Sequence, residues 1–170
     1  MKVEILIRAA TAEDVDEVVA LERGVAEAPH WNRAEYEAMV SPERTSLAET
    51  PTGEQGGVRR CLLVAEIEGR LAGFAVGKVV AAAESAELES VAVLPSARRM
   101  GVGMQLCREV LRWCREQGAA RMELEVRARS VGAKRLYERL GFVVEGVRRG
   151  YYTEPADDAA LMRLDLKNCG

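Results

Sequence analysis

Val91-Ala92-Val93-Leu94-Pro95-Ser96-Ala97-Arg98-Arg99-Met100-Gly101-Val102-Gly103-Met104-Gln105-Leu106-Cys107 reads as an apolar strand, a basic glycine-containing turn and the start of an amphipathic helix. The first four N–H groups of a helix have no partner inside it and lie at the positive end of its dipole. Gly101 and Gly103 leave room for an anion to approach the backbone, so the turn suits a phosphate or pyrophosphate. Two other phosphate turns fail on residue type. A dinucleotide fingerprint needs a small residue three positions after its second glycine, and that position is Leu106. A P-loop needs Gly-Lys-Ser/Thr, whereas Gly103 is followed by Met104-Gln105.

Downstream, Leu106, Cys107, Val110, Leu111 and Cys114 recur on one helical face, with Arg108, Glu109, Arg112, Arg115 and Glu116 opposite and Gly118 as the stop. Met122, Leu124 and Val126 alternate with Glu123, Glu125 and Arg127, which predicts a strand with one charged face. Ser130 is placed to cap a helix whose inward side carries Ala133, Leu136, Tyr137 and Leu140, closed by Gly141. Strands are expected over Phe142–Val147 and Ala159–Leu166, around a turn-rich segment.

Upstream, Glu4–Arg8 reads as a strand, and Thr11 with Asp14 opens a helix to about Ala26. Ala28-Pro29-His30-Trp31 breaks that helix, and Asn32 with Glu35 opens a short second one ending near Ser41-Pro42. Pro42–Val58 reads as an exposed, mobile loop. Cys61–Ile67 and Leu71–Ala81 flank the hairpin signal Glu68-Gly69-Arg70, and Glu87–Leu94 is the next strand. Hairpins first and a β-α-β unit after predict a three-layer α/β (α+β) fold, a single domain over 1–170 with no internal repeat.

Bulk composition narrows the function classes. A 48% hydrophobic chain of 170 residues can bury a sizeable core. Net charge is −3, from 24 basic and 27 acidic residues, so no basic field argues for nucleic acid. Apolar runs such as Val79–Ala83 are too short to span a bilayer, and the N-terminus lacks a signal peptide's apolar segment. Cys61, Cys107, Cys114 and Cys169 show no metal-ligand spacing, and Cys107 and Cys114, on the apolar stripe of one helix, read as buried free thiols, which fits a cytoplasmic protein. The single histidine, His30, beside Trp31, is expected to play at most a minor part on the substrate side.

Arg98-Arg99-Met100-Gly101-Val102-Gly103 resembles the acetyl-coenzyme A turn of the GNAT N-acetyltransferases, whose pattern is Q/R-x-x-G-x-G/A. Leu136-Tyr137-Glu138-Arg139-Leu140-Gly141-Phe142 is similar to that superfamily's L-Y-x-x-x-G-F element, in the right order and one helix and one strand away. Leu124-Glu125-Val126-Arg127, Arg148-Arg149-Gly150-Tyr151-Tyr152, Pro155, Asp157-Asp158-Ala159 and Met162 resemble its RimI branch, the ribosomal-protein-alanine N-acetyltransferases. His30-Trp31-Asn32 with Tyr36 is similar to that branch's W-S/N-x-x-x-F/Y segment. The chain departs from the branch at Ser130, where an asparagine is usual, and in the length of the Pro42–Val58 loop.

The resemblance implies a mixed, mostly antiparallel sheet flanked by helices and splayed between the strands near 87–94 and 120–127. It implies acetyl-coenzyme A as cosubstrate, no metal, and contacts from Val91, Ala92, Val93, Arg98, Arg99, Met100, Gly101, Val102, Gly103, Met104 and Ser130. The Val93 N–H would be an oxyanion donor, Glu125 the general base and Tyr137 the proton donor to the leaving thiolate. Trp31, Glu87, Glu89, Tyr151 and Tyr152 would line the acceptor side, with Glu87 and Glu89 as rival bases. The implied acceptor is a protein N-terminus, that of a ribosomal protein, attacked directly because no cysteine is placed for a covalent relay. No direct nucleic-acid or membrane partner is expected, and the chain is expected to be a monomer or weak dimer.

Proton affinities bear on the acceptor. An α-amine near pKa ~7.8 costs only about 1 kcal/mol to deprotonate at pH 7, against roughly 4.6 kcal/mol for a lysine near ~10.4. One carboxylate is enough help for the former. Tyrosine near ~10 is a weaker acid than a thiol near ~8.5, so a hydrogen bond that strengthens as sulfur gains charge describes Tyr137 better than full transfer. A small-molecule amine is the alternative acceptor, left open by the long loop. A non-catalytic acetyl-coenzyme A sensor is the alternative class, disfavoured by the presence of both Glu125 and Tyr137.

Overall fold

The computed structural model describes residues 2–25, 31–41 and 57–167. The helix breaker at 28–30, including His30, and the loop expected over Pro42–Val58 lie outside the described residues, apart from Gly57 and Val58. Among the described residues the strands are β1 (Ile5–Ala9), β2 (Val58–Ile67), β3 (Arg70–Val80), β4 (Ser85–Val93), β5 (Arg121–Arg127), β6 (Val143–Thr153) and β7 (Ala156–Asp165). The α-helices are α1 (Val15–Gly24), α2 (Arg33–Val40), α3 (Val102–Glu116) and α4 (Val131–Arg139). The strands form one sheet in the order β1-β2-β3-β4-β5-β7-β6.

Local chemistry sets the helix ends. Thr11 and Asp14 form a capping box ahead of α1, and Asn32 and Glu35 form one ahead of α2. Asp14 also receives a two-point contact from Arg8 at 2.7 and 2.9 Å. Its carboxyl is lowered to about 2, first by that hydrogen bond. Both α3 and α4 close with Schellman geometry. Ala119 N–H donates to Cys114 O and Gly118 N–H to Arg115 O; Phe142 N–H donates to Tyr137 O and Gly141 N–H to Glu138 O.

The sheet has a core on each face. Leu106, Cys107, Val110, Leu111 and Cys114 of α3 pack on Cys61, Ala65, Ala75 and Val79, while α1 and α2 pack on Leu62, Val64, Phe74 and Val76. Consecutive residues of β2 thus feed opposite cores, as the pleat requires.

Every neighbouring strand pair is antiparallel except β4 and β5. Their parallel ladder holds Ser85, Ala86 and Glu87 against Arg121, Met122 and Glu123, and continues no further. The cause lies on the other side of β4. Val76 opposes Ser90 while Gly77 opposes Leu88, so Glu89 is an extra residue, a β-bulge that bends and twists the strand. The bulge also changes which residues face α3: Ala86 and Leu88 before it, Val91 and Val93 after it.

The segment between the last two strands departs from expectation. β6 runs on to Thr153 and β7 starts at Ala156, so the turn-rich stretch is mostly hairpin, broken by a register irregularity between Arg148 and Tyr152. β6 is an edge strand exposed along nearly its whole length, so burial imposes no alternation there for a sequence reading to find.

The close seat of α3 on β3 depends on glycine. A Cβ at Gly73 would lie 2.7 Å from the backbone oxygen of Ala92 and 3.3 Å from Leu106 and Val102 side-chain atoms. Gly73→Ala should therefore destabilise the fold by about 1–3 kcal/mol, read as a lower urea midpoint.

Candidate active site

Where β5 leaves β4, the β4 edge from Leu88 to Val93 has no strand partner among the described residues. That edge carries Val91, Ala92 and Val93 into the turn. Leu94 N–H donates to Ala72 O at 2.8 Å, anchoring the strand end to β3. Pro95–Ala97 makes one 3-10 turn, Arg98 is extended, and Arg99 and Gly101 take left-handed φ values of 63° and 88°. These two reversals lead from the end of β4 into α3, whose opening amides, at Val102, Gly103 and Met104, have no partner inside the helix. Arg98, Arg99 and Met100 are exposed around them. A Cβ at Gly103 would lie 3.4 Å from Leu136 and 3.8 Å from Val93, so β4, the turn and α4 meet at this glycine. A free backbone edge followed by unpartnered helix amides fits a ligand with an extended amide arm and a pyrophosphate.

Tyr137 is half-buried one residue after Leu136, its ring edge-to-face with Phe142 at 6.0 Å. Burial above all, with Cys107 and Tyr152 nearby, pushes its phenol well above the ordinary range. The hydroxyl is therefore protonated at neutral pH and can only donate or accept hydrogen bonds.

Glu125 lies two residues past the last β4–β5 rung. Its carboxylate pairs with Arg148 at 3.1 Å, and interaction with it is the first cause that pushes the Tyr151 phenol up to about 12. Glu87 is held only loosely, 4.0 Å from Lys78, and partial burial plus the charges of Glu89 and Glu125 raise its pKa. Glu89 is forked by Arg60 at 2.8 and 3.2 Å, which occupies the lone pairs a base would need. Of the two rivals, Glu87 is the more available.

The remaining expected residues divide between the site and its scaffold. Trp31 packs edge-to-face on Tyr36 at 5.7 Å, and Tyr36 on Phe74 at 5.8 Å; the Trp31 backbone N–H donates to the buried Glu22 carboxylate at 2.6 Å. Tyr152 lies under the Arg127 guanidinium, 4.1 Å from its ring centre, and Arg127 also donates to Pro155 O at 2.8 Å and Glu154 O at 3.2 Å. Asp157 accepts from the Arg129 and Asp158 amides, and Asp158 from the Gly150 amide, so these carboxylates tie the hairpin down and are not an open acidic surface. Ser130 stands at the N-cap position of α4 without a side-chain cap bond; its carbonyl accepts from Lys134 N–H at 3.0 Å. Side-chain capping by Ser130, expected from the sequence, is thus corrected: with ψ at 73° it departs from the extended backbone typical of a capping residue.

Three participants escaped the sequence reading. Arg60 and Lys78 answer Glu89 and Glu87 only through strand register. Glu22 has a local signal: it falls with Val15 and Val18 on the apolar stripe of α1. Among the described residues no His, Cys, Asp or Glu group could hold a metal ion, and no helix is long and apolar enough to cross a membrane.

The profile of the Acetyltransferase (GNAT) family matches residues 25–142. A putative [ribosomal protein bS18]-alanine N-acetyltransferase from Bacillus subtilis is 30% identical over 166 residues, 98% of this chain and 99% of the relative. The crystal structure of the ribosomal-protein-S18-alanine N-acetyltransferase from Escherichia coli superposes with a TM-score of 0.74 at 27% identity, covering 98% of this chain and 97% of that one. A putative acetyltransferase from Salmonella typhimurium, solved with its cofactor acetyl-CoA, shares the fold with a TM-score of 0.76 at 19% identity, over 98% and 96% of the two chains.

Burial pushes the Cys61 and Cys107 thiols up to about 12 and Cys114 higher still. In a Cys169→Ser background, Ellman's reagent at pH 8 should find no fast-reacting thiol in the native protein. All three buried cysteines should react once it is unfolded in urea.

Proposed function

The chain belongs to the acetyltransferase (GNAT) family, and from that premise we propose that it acetylates the α-amine of a protein N-terminus. The N-terminal alanine of ribosomal protein bS18 is the specific acceptor of the proposal, since proteins so named match nearly the full length of this chain. The proposal takes the chain as a single cytoplasmic domain. Acetyl-coenzyme A supplies the acetyl thioester.

The observation that supports the reading is the place of Glu125, on β5 where the ladder to β4 has ended. A carboxylate there would take the proton of an α-ammonium as the amine turns toward the gap between the strands. The Val93 amide, on the free edge of β4, would donate to the carbonyl oxygen as charge collects on it. Tyr137, with its proton firmly held, would donate a hydrogen bond to the departing sulfur. Arg98, Arg99 and the amides of Gly101 to Met104 would hold the phosphates, and Val91, Ala92 and Ser130 the rest of the arm. Trp31, Glu87, Glu89, Tyr151 and Tyr152 would line the acceptor side, Glu89 through its ion pair with Arg60.

A peptide beginning Ala-Arg should be acetylated on its α-amine, and the same peptide blocked at its N-terminus but bearing a lysine should not. The site of modification is read by mass spectrometry. Transfer to the lysine alone would sink the reading. Glu125→Gln should lower kcat/KM by about 10²–10⁴-fold. A Glu125→Gln enzyme of full rate would move the base to Glu87.

A further inference from the structure

Arg148 belongs to the outermost strand, yet its side chain reaches the carboxylate on β5: Nη1 lies 3.1 Å from Glu125 Oε1. On the way it passes the Tyr151 ring, 5.6 Å from its centre. Three features together mark this contact. First, the Arg148 side chain is 58% exposed while that of Glu125 is 24% exposed, so the anion sits in the site and the cation sits largely in water. Second, the β6–β7 register is irregular between Arg148 and Tyr152, so the strand just past Arg148 is not held in a regular ladder. Third, the Glu125 ion pair is the only hydrogen-bond or salt-bridge contact recorded for Arg148 among the described residues. Arg127, by contrast, is committed to two backbone carbonyls and a ring, and Arg60 forks a carboxylate that is itself well covered.

We propose that Arg148 is a specificity-determining residue: its guanidinium occupies Glu125 in the free enzyme as a stand-in for the acceptor's ammonium, and the acceptor binds by exchanging one cation for the other. The inference rests on Glu125 facing the acceptor, as argued above. Exchange conserves charge. The guanidinium returns to water, which costs little for a group already mostly hydrated, and the carboxylate is never left bare in the low-dielectric gap. An acceptor that arrives without a positive charge has nothing with which to release Arg148. A basic amine is therefore selected over a neutral nucleophile of similar shape before any chemistry occurs.

Steady-state kinetics at saturating acetyl-coenzyme A, with the Ala-Arg peptide varied, test this. Arg148→Ala removes the competitor and should lower the peptide KM by about two- to five-fold, the worth of an exposed ion pair. The change in kcat should be smaller, and the KM for acetyl-coenzyme A should stay where it is. Arg148→Lys restores a cation and should return the peptide KM toward the wild-type value. A thermal melt confirms that each variant is folded. An Arg148→Ala enzyme whose peptide KM is unchanged or raised overturns the proposal, the latter meaning that Arg148 holds the peptide. The base assignment is judged separately by Glu125→Gln: full activity there with a lowered KM in Arg148→Ala removes the base role and keeps the cation exchange.

Discussion

The parallel ladder between β4 and β5 stops after three residues, and what the molecule can bind follows from that. A backbone amide or carbonyl inside a protein seeks a partner, so two neighbouring strands that part company expose a row of unsatisfied groups along the edge they no longer share. Here the parting is enforced from the other side of β4. Glu89 is one residue too many against β3, and the strand turns to absorb it. Helix α3 then has to begin close to the end of the bent strand, which the absent side chain of Gly73 permits. The backbone edge and the helix amides end up at the same gap because the bulge and the glycine act on the same stretch of chain.

Charge in the gap is arranged by degree of commitment. Glu89 is fully engaged by Arg60, Glu87 only touches Lys78, and Glu125 holds a cation that comes from an exposed strand. Three carboxylates on two neighbouring strands would repel one another if left alone, and the proton affinity of Glu87 is raised first by its partial burial and then by the charges of Glu89 and Glu125. Membership of the acetyltransferase (GNAT) family accounts for the fold and the cosubstrate. The graded pairing of these carboxylates is a property of this chain's own side chains.

Much of this is legible in the sequence. The glycine turn, the two capping boxes, the Glu68-Gly69 hairpin and the apolar stripe of α3 all rest on contacts between residues close in sequence, where spacing carries the signal. The bulge at Glu89 was hidden because Glu87-Leu88-Glu89 alternates just as a regular strand does. The Arg60–Glu89 pair spans 29 residues and exists only through the register of three strands. β6 runs past its predicted end because an exposed edge carries no burial pattern. Ser130 sits where a cap belongs, yet its backbone takes another conformation.

The two cores described above are unequal. The one under α3 and α4 extends across the sheet from β2 to β7, while the one under α1 and α2 is a smaller patch closed by Tyr36 and Phe74. Opening free energies follow local apolar burial, so the two faces of one sheet belong to different rungs of the unfolding ladder.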